Sequence, residues 1–186
     1  MIEMQRLSSS KVTKFYWIQS KVGKPIYELR AEEELFGTLR WSTHVGFDPA
    51  IFVSIDSEWK IITDWWPMWW WLWPPTVHIT NSGGDVAVCR QERKFSLTRT
   101  FNVEFANSRR FRWRTNFWLT RSVFTSENNE ELLILKLVKI PQFQLKIQVD
   151  VVKNLEDLPE ALLLAALGLY IWFATAYHGG FGWFGW

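Results

Sequence analysis

The chain has 186 residues, of which 48% are hydrophobic and 22% are charged, the balance of an ordinary globular protein. Its net charge of +2 is too small to indicate binding to nucleic acid or to an anionic membrane through bulk charge alone. The single cysteine, Cys89, excludes an internal disulfide and a cysteine-based zinc site, and it weakly favours a reducing compartment.

Residues 1–13 lack the apolar core of a secretory signal, and we interpret them as a polar lead-in to a cytoplasmic chain. From Lys14 onward, short runs rich in aromatic and β-branched residues predict about a dozen strands. The clearest is 143–151, where apolar odd positions alternate with polar even positions. The predicted strands are 14–19, 25–30, 35–41, 50–55, 58–62, 76–80, 86–90, 94–98, 101–105, 109–114, 116–121, 132–138 and 143–151.

A tryptophan-rich segment interrupts these strands at residues 65–75, which hold six of the 14 tryptophans of the chain. Its three prolines exclude a regular central strand or a long helix. Three interpretations remain open: the segment fills a gap in the core, docks at a membrane–water interface, or contacts a partner protein. The candidate contact residues are Trp65, Trp66, Trp69, Trp70, Trp71 and Trp73.

One helix is predicted, over residues 158–178, with no charged residue from Ala161 to Tyr177 and two glycines after His178. A helix that is apolar on every side must be buried, either inside a protein or inside a membrane. Many short strands favour a barrel, and a barrel of about twelve strands needs something to fill it. We therefore predict a mainly β fold: an antiparallel barrel of roughly twelve strands over 14–178 around this central helix, followed by a tail at 179–186.

The same strands and helix resemble the superfamily of tubby C-terminal domains, phospholipid scramblases and LURP-one-related proteins. The resemblance is carried by Tyr27 to Trp41, by Arg110 to Phe124 with the turn at Asn128 and Asn129, and by the strand 143–151 with the apolar helix after it. It implies a twelve-stranded barrel around a C-terminal hydrophobic helix, and it suggests a connection with lipid. The tryptophan-rich segment and the tail are not features of that superfamily.

Arginines are concentrated at Arg109, Arg110, Arg112 and Arg114. Strand alternation places Arg110, Arg112 and Arg114 on one face, with Phe111 and Trp113 on the other. Arginine forks pair with phosphate, so these three are candidate ligands for lipid phosphate. The alternative is that they only form the solvated outside of a barrel strand. Because the aromatic residues should point inward, we do not expect nucleic-acid binding by base stacking.

The tail combines glycine with aromatic residues, and Trp183 and Trp186 are candidate membrane or partner contacts. The tail alternatively folds back on the barrel mouth. His44, His78 and His178 lack the spacing of metal ligands, so no metal or other cofactor is expected. No phosphate-binding glycine loop or nucleophile elbow is present, and no catalytic residue is proposed.

Two functions are therefore considered. The first is a non-enzymatic barrel that acts at a membrane surface or on a protein partner, with anionic phospholipid as a candidate ligand. The alternative is a small single-pass accessory subunit of a larger membrane complex, anchored by helix 158–178. The uncharged run of that helix has the minimum length for a span.

Overall fold

The computed structural model describes residues 14–21, 24–42, 49–64, 76–92, 98–116, 118–138, 145–152 and 160–178. They form twelve strands and one helix, so the predicted mainly β fold with a C-terminal helix is confirmed. The strands are β1 (Lys14–Gln19), β2 (Ile26–Ala31), β3 (Glu34–Trp41), β4 (Ala50–Ser54), β5 (Glu58–Asp64), β6 (Thr76–Asn81), β7 (Gly84–Gln91), β8 (Thr98–Phe105), β9 (Arg110–Asn116), β10 (Arg121–Ser126), β11 (Glu131–Val138) and β12 (Lys146–Val151); the helix is α1 (Ala161–His178).

The strands close into an antiparallel barrel in which each strand pairs with its sequence neighbours and β1 pairs with β12. Closure leaves no unpaired strand edge. Alternating strand directions also give the barrel two distinct ends. We call the end where α1 begins the proximal end; it carries the hairpin turns after β2, β4, β6, β8 and β10. The opposite, distal end carries the connections after β1, β3, β5, β7, β9 and β11.

Period-2 alternation sends one side chain inward and the next outward along each wall strand. In β12, Ile147, Val149 and Val151 are buried, whereas Lys146, Gln148 and Asp150 are half-buried on the outer face. The same alternation recurs in β1 and β2. The barrel wall is therefore apolar inside and polar outside, as the sequence predicts.

Helix α1 lies inside the barrel. Every side chain from Ala161 to Ala176 is buried except Leu162, which is half-buried, and Gly168, which has none; the helix packs against β3, β4 and β11. Tyr170 stacks on Trp41 with ring centroids 6.0 Å apart, and Phe173 meets the same ring edge-on at 5.4 Å. The helix needs apolar residues on all sides because wall strands surround it.

Small residues let the wall approach the helix. A Cβ atom at Gly168 would stand 2.9 Å from the Phe124 ring and 3.0 Å from a Leu135 methyl group. On the wall itself, a Cβ at Gly37 would stand 2.5 Å from the Phe52 ring. Both glycines are required by close packing and not by a turn.

Polar bonds fix both ends of α1 to the barrel. At the proximal end, the Glu160 carboxylate accepts hydrogen bonds from Arg109 at 2.6 Å and from Asn107 at 3.2 Å. At the distal end, Trp172 Nε1 donates to the Leu119 carbonyl at 2.8 Å and Arg99 donates to the Thr175 carbonyl at 3.3 Å. These bonds fix the position of the helix along the barrel axis.

Two sequence predictions of individual elements need correction. A strand at 116–121 was wrong: Leu119 adopts a left-handed conformation with φ of 55°, the chain turns there, and the next strand is Arg121–Ser126. The predicted strand 101–105 is part of a longer strand that begins at Thr98. The described helix runs from Ala161 to His178, within the predicted 158–178.

Several predicted features lie outside the described residues: the lead-in at 1–13, the tryptophan-rich segment 65–75 and the tail 179–186. Among the described helices, none combines the length and apolarity needed to cross a bilayer. Cys89 is fully buried on β7, and desolvation raises the pKa of its thiol. It is a small core residue, as its place in a predicted strand suggests.

Gly168→Leu is expected to lower the free energy of unfolding by about 1–3 kcal/mol, because the new side chain would overlap Phe124 and Leu135. Chemical denaturation monitored by circular dichroism measures the change. Val152→Leu, an enlargement at a position that is 53% exposed, is the control and should leave stability unchanged. Equal stability of Gly168→Leu and the parent chain would contradict a tightly filled barrel.

Cys89 is expected to resist alkylation in the native protein at neutral pH, because its thiol is buried and its raised pKa keeps it protonated. Addition of denaturant should make it react at the rate of a free thiol. Mass spectrometry after timed exposure to iodoacetamide measures both rates. Rapid labelling of the folded chain would show that the Cys89 thiol is accessible to solvent and would contradict its burial on β7.

Candidate functional site

The arginines of β9 form a row on the outside of the barrel. Arg110 and Arg114 are exposed and Arg112 is half-buried, whereas Phe111 and Trp113 are buried inside. The alternation predicted for this strand is confirmed. The three guanidinium groups therefore share one outer face of the barrel.

Arg110 already has an acidic partner on the neighbouring strand. Its Nε and Nη2 donate to the same oxygen of Glu104, at 3.2 and 2.9 Å. This hydrogen bond, together with the charges of Glu104 and Glu127, raises the pKa of Arg110. A phosphate would have to compete with Glu104 for this residue.

Arg112 and Arg114 are held more loosely. Arg112 donates to the amide oxygens of Asn102 at 3.3 Å and Asn129 at 3.5 Å, and it lies 3.6 Å from Glu92. Arg114 donates to Asn129 Oδ1 at 3.3 Å. Among the described residues, the charge of Arg114 faces only a neutral amide, whereas Glu92 partly compensates the charge of Arg112 and Glu104 that of Arg110.

Two shallow grooves, of about 490 and 370 Å³, run beside this row between β7, β8 and β9. The first brings in Arg90, Glu104 and Glu127, and the second brings in Glu92 and Arg99. Because each groove mixes arginine with glutamate, neither has the uniform positive charge of a strong phosphate site. The row can contact an anion, but it is not strongly selective for one by itself.

A larger charge separation runs along the barrel axis. We count the described charged residues in each connection and in the two strand residues on either side of it. The distal end has seven cations and two acids by this count. The cations are Lys21, Lys24, Arg40, Arg90, Arg99, Arg121 and Lys146, and the acids are Asp64 and Glu92.

The proximal end has the opposite balance, with twelve acids and four cations. The acids are Glu32, Glu33, Glu34, Asp56, Glu58, Asp85, Glu104, Glu127, Glu130, Glu131, Asp150 and Glu160, and the cations are Lys14, Arg30, Arg109 and Arg110. The difference between the two ends is far larger than the net charge of +2 on the whole chain suggests. A separation of this size gives the described barrel an electric field directed along its axis.

Most distal cations are available to an external anion. In the described part of the chain, no carboxylate lies within 4 Å of Lys21, Lys24, Arg40, Arg90 or Lys146. Lys146 instead places its ammonium 4.3 Å from the Tyr16 ring. Arg121 pairs with Glu131 at 2.9 Å, and Arg99 is turned inward to Thr175.

The distal end also displays Trp118, whose side chain is 68% exposed in the connection between β9 and β10. The tryptophan-rich segment and the tail themselves lie outside the described residues. Their described flanking residues, Asp64, Thr76 and His178, are at this same distal end. The sequence analysis missed Trp118 because it placed this residue in a strand and singled out the longer tryptophan runs instead.

The described residues give little support for metal chemistry. His78 Nε2 lies 3.0 Å from an Asp64 oxygen, which is one isolated pair. Groups of three or more potential metal ligands do not occur in the part of the chain that the structure describes.

Arg99 and Arg90 were also missed, and for a different reason. The contact of Arg99 with the helix and the place of Arg90 at the distal end depend on how the strands are arranged, and an isolated arginine in a strand carries no local signal of this.

Comparisons with protein-family models, with curated proteins and with solved structures find no match to this chain. The functional interpretation therefore depends on the residues themselves.

Arg99→Met is expected to lower the free energy of unfolding by about 1 kcal/mol, because it leaves the Thr175 carbonyl at the helix end without its charged donor. Arg90→Met is the matched control, since Arg90 is exposed and has no carboxylate partner in the described structure. Urea denaturation of both variants measures the difference. Equal stability of the two variants would show that the Arg99 bond does not hold the helix end.

Proposed function

We propose that this chain is a non-enzymatic barrel that docks through its distal end on membranes containing anionic phospholipid. The observation that carries the proposal is the excess of cations at that end, seven against two acids, with an acidic excess at the other end. Basic residues near an anionic leaflet each contribute about 1 kcal/mol of attraction. The acidic proximal end would be repelled, so the field favours one orientation.

The unpaired cations support docking by the end of the barrel more than by its side. Lys21, Lys24 and Arg40 have no acidic neighbour to displace in the described structure, whereas Arg110 is bonded to Glu104. Arg112 and Arg114 contribute as secondary contacts to head-group phosphates. Among the described residues Arg114 is bound only to an amide; its backbone lies in the distal half of β9, but its guanidinium reaches Asn129 in the proximal turn after β10.

The tryptophans extend the proposal. Tryptophan prefers the membrane–water interface, where its ring is partly buried and its N–H remains hydrated. The tryptophan-rich segment leaves β5 and rejoins β6 at the distal end, and the tail follows α1 there. We propose that their tryptophans contact the head-group region: Trp65, Trp66, Trp69, Trp70, Trp71, Trp73, Trp183 and Trp186.

The resemblance to the tubby-like superfamily supports the same function, because it implies this barrel architecture and suggests a lipid connection.

The membrane-anchor alternative is less well supported, because α1 is buried inside the barrel against its strands. Alkaline carbonate extraction of membranes separates the two. Release of the full chain supports surface docking, whereas retention until detergent is added would favour the anchored subunit.

Vesicle sedimentation tests the lipid proposal directly. The chain is expected to bind phosphatidylcholine vesicles only when they contain phosphatidylserine, and to bind more weakly as salt screens the charges. Arg40→Glu should weaken this binding by about 1–2 kcal/mol, because it removes an attraction and adds a repulsion. Lys14→Glu makes the same change of charge at the proximal end and should bind as the parent chain does.

Three outcomes would contradict the proposal. Equal binding to neutral and anionic vesicles would show that charge does not drive docking. Equal weakening by Arg40→Glu and Lys14→Glu would show that net charge matters and orientation does not. If neither vesicle type binds, a protein partner for the distal end becomes the better interpretation.

A further inference from the structure

Trp118 is the most exposed large hydrophobic side chain in the described structure, at 68%, compared with 53% for Val152 and 44% for Ile55. Val152 and Ile55 lie at the acidic proximal end, whereas Trp118 lies at the cationic distal end. An exposed indole leaves a large apolar surface in water. Among these three side chains, only that of Trp118 shares its end of the barrel with the unpaired cations.

The turn that carries Trp118 is held by a network around Asn116. Asn116 Oδ1 accepts hydrogen bonds from the backbone N–H groups of Thr120 at 2.9 Å and Arg121 at 3.3 Å, and its Nδ2 donates to Thr120 Oγ1 at 2.7 Å. The Leu119 N–H donates to the Asn116 carbonyl at 3.1 Å. One side chain thus ties the start of the turn to its end.

A second set of contacts joins this turn to the core. The Leu119 side chain is buried, and its carbonyl accepts the bond from Trp172 of α1 at 2.8 Å. Leu119 keeps a left-handed backbone, with φ of 55°, which a leucine adopts only when its surroundings impose it. The turn is therefore fixed from inside the barrel while Trp118, the residue before, is displayed outside.

We propose that Trp118 is a preorganised insertion anchor, whose indole enters the head-group region of an anionic phospholipid bilayer when the distal end docks. The proposal rests on the function proposed above and adds the residue and the depth of contact. Preorganisation favours insertion because the bonds at Asn116, Leu119 and Thr120 leave these residues little conformational freedom to lose on binding. Charge complementarity selects an anionic bilayer as the occupant, since Lys21, Lys24 and Arg40 lie at the same end of the barrel as Trp118.

A thiol probe at position 118 tests the insertion in the full chain. Trp118→Cys is labelled with a nitrobenzoxadiazole fluorophore, and Ile55→Cys carries the same label at the proximal end as the matched control. Because Cys89 is buried, the parent chain should take up no label. On addition of phosphatidylcholine–phosphatidylserine vesicles, the emission of the probe at 118 should shift to the blue and be quenched by spin-labelled lipid, while the probe at 55 should not change.

The affinity of the unlabelled variants provides a second measurement. Trp118→Ala should bind these vesicles roughly tenfold more weakly than the parent chain, and Trp118→Phe should lie between them, because each removes apolar area from the buried contact. Thermal melting of both variants checks that the weaker binding does not come from a loss of folding.

The possible failures are distinguishable. If the labelled chain sediments with the vesicles while the probe at 118 still reports water, the anchor is disproved and surface docking stands. If the probe at 55 responds instead, the proposed orientation is wrong and both proposals fail. If no variant sediments with anionic vesicles, the docking function itself is disproved.

Discussion

The structure depends on the need to fill a closed barrel of twelve strands. Protein interiors are packed almost as densely as organic crystals, so a wall of this size does not remain hollow. Helix α1 supplies the filling, and its apolar residues on all sides are the consequence. The contacts of Gly168 with Phe124 and Leu135 show how closely the wall and the helix fit.

Enclosing the helix also removes its two ends from water, so the polar groups there need hydrogen-bond partners within the protein. At the proximal end, Glu160 pairs with Arg109. At the distal end, Arg99 donates to the Thr175 carbonyl, and the Leu119 carbonyl accepts from Trp172. The same residues that complete the core therefore position the surface next to it. Leu119 is the clearest case, because its carbonyl binds the helix while its neighbour Trp118 faces outward.

Closure with alternating strand directions sorts the connections into two sets, and this sorting determines the electrostatics. Acidic residues are concentrated in the tight hairpins of the proximal end, and lysines and arginines at the distal strand ends. Opposite charges cancel in the net charge of +2, and the two kinds are interleaved along the sequence, so neither the sum nor the order shows the separation. The proposed membrane contact follows from this arrangement and not from any single motif.

The sequence alone determined the elements whose signals are local. Period-2 alternation predicted most strands and the outward row of Arg110, Arg112 and Arg114, and the uncharged run predicted α1 together with its burial. The turn at Leu119 was missed, because a leucine in a left-handed conformation has no turn signature and is held by Asn116 and Trp172.

The pairing of Arg110 with Glu104, the inward turn of Arg99, the exposure of Trp118 and the charge of each end were decided only by the tertiary structure. Each of these depends on which strands become neighbours and on which end a connection occupies. Arg110 meets Glu104 across the β8–β9 hairpin, Arg99 meets α1 once the helix is enclosed, and the charge of each end appears when the alternating strands sort their connections.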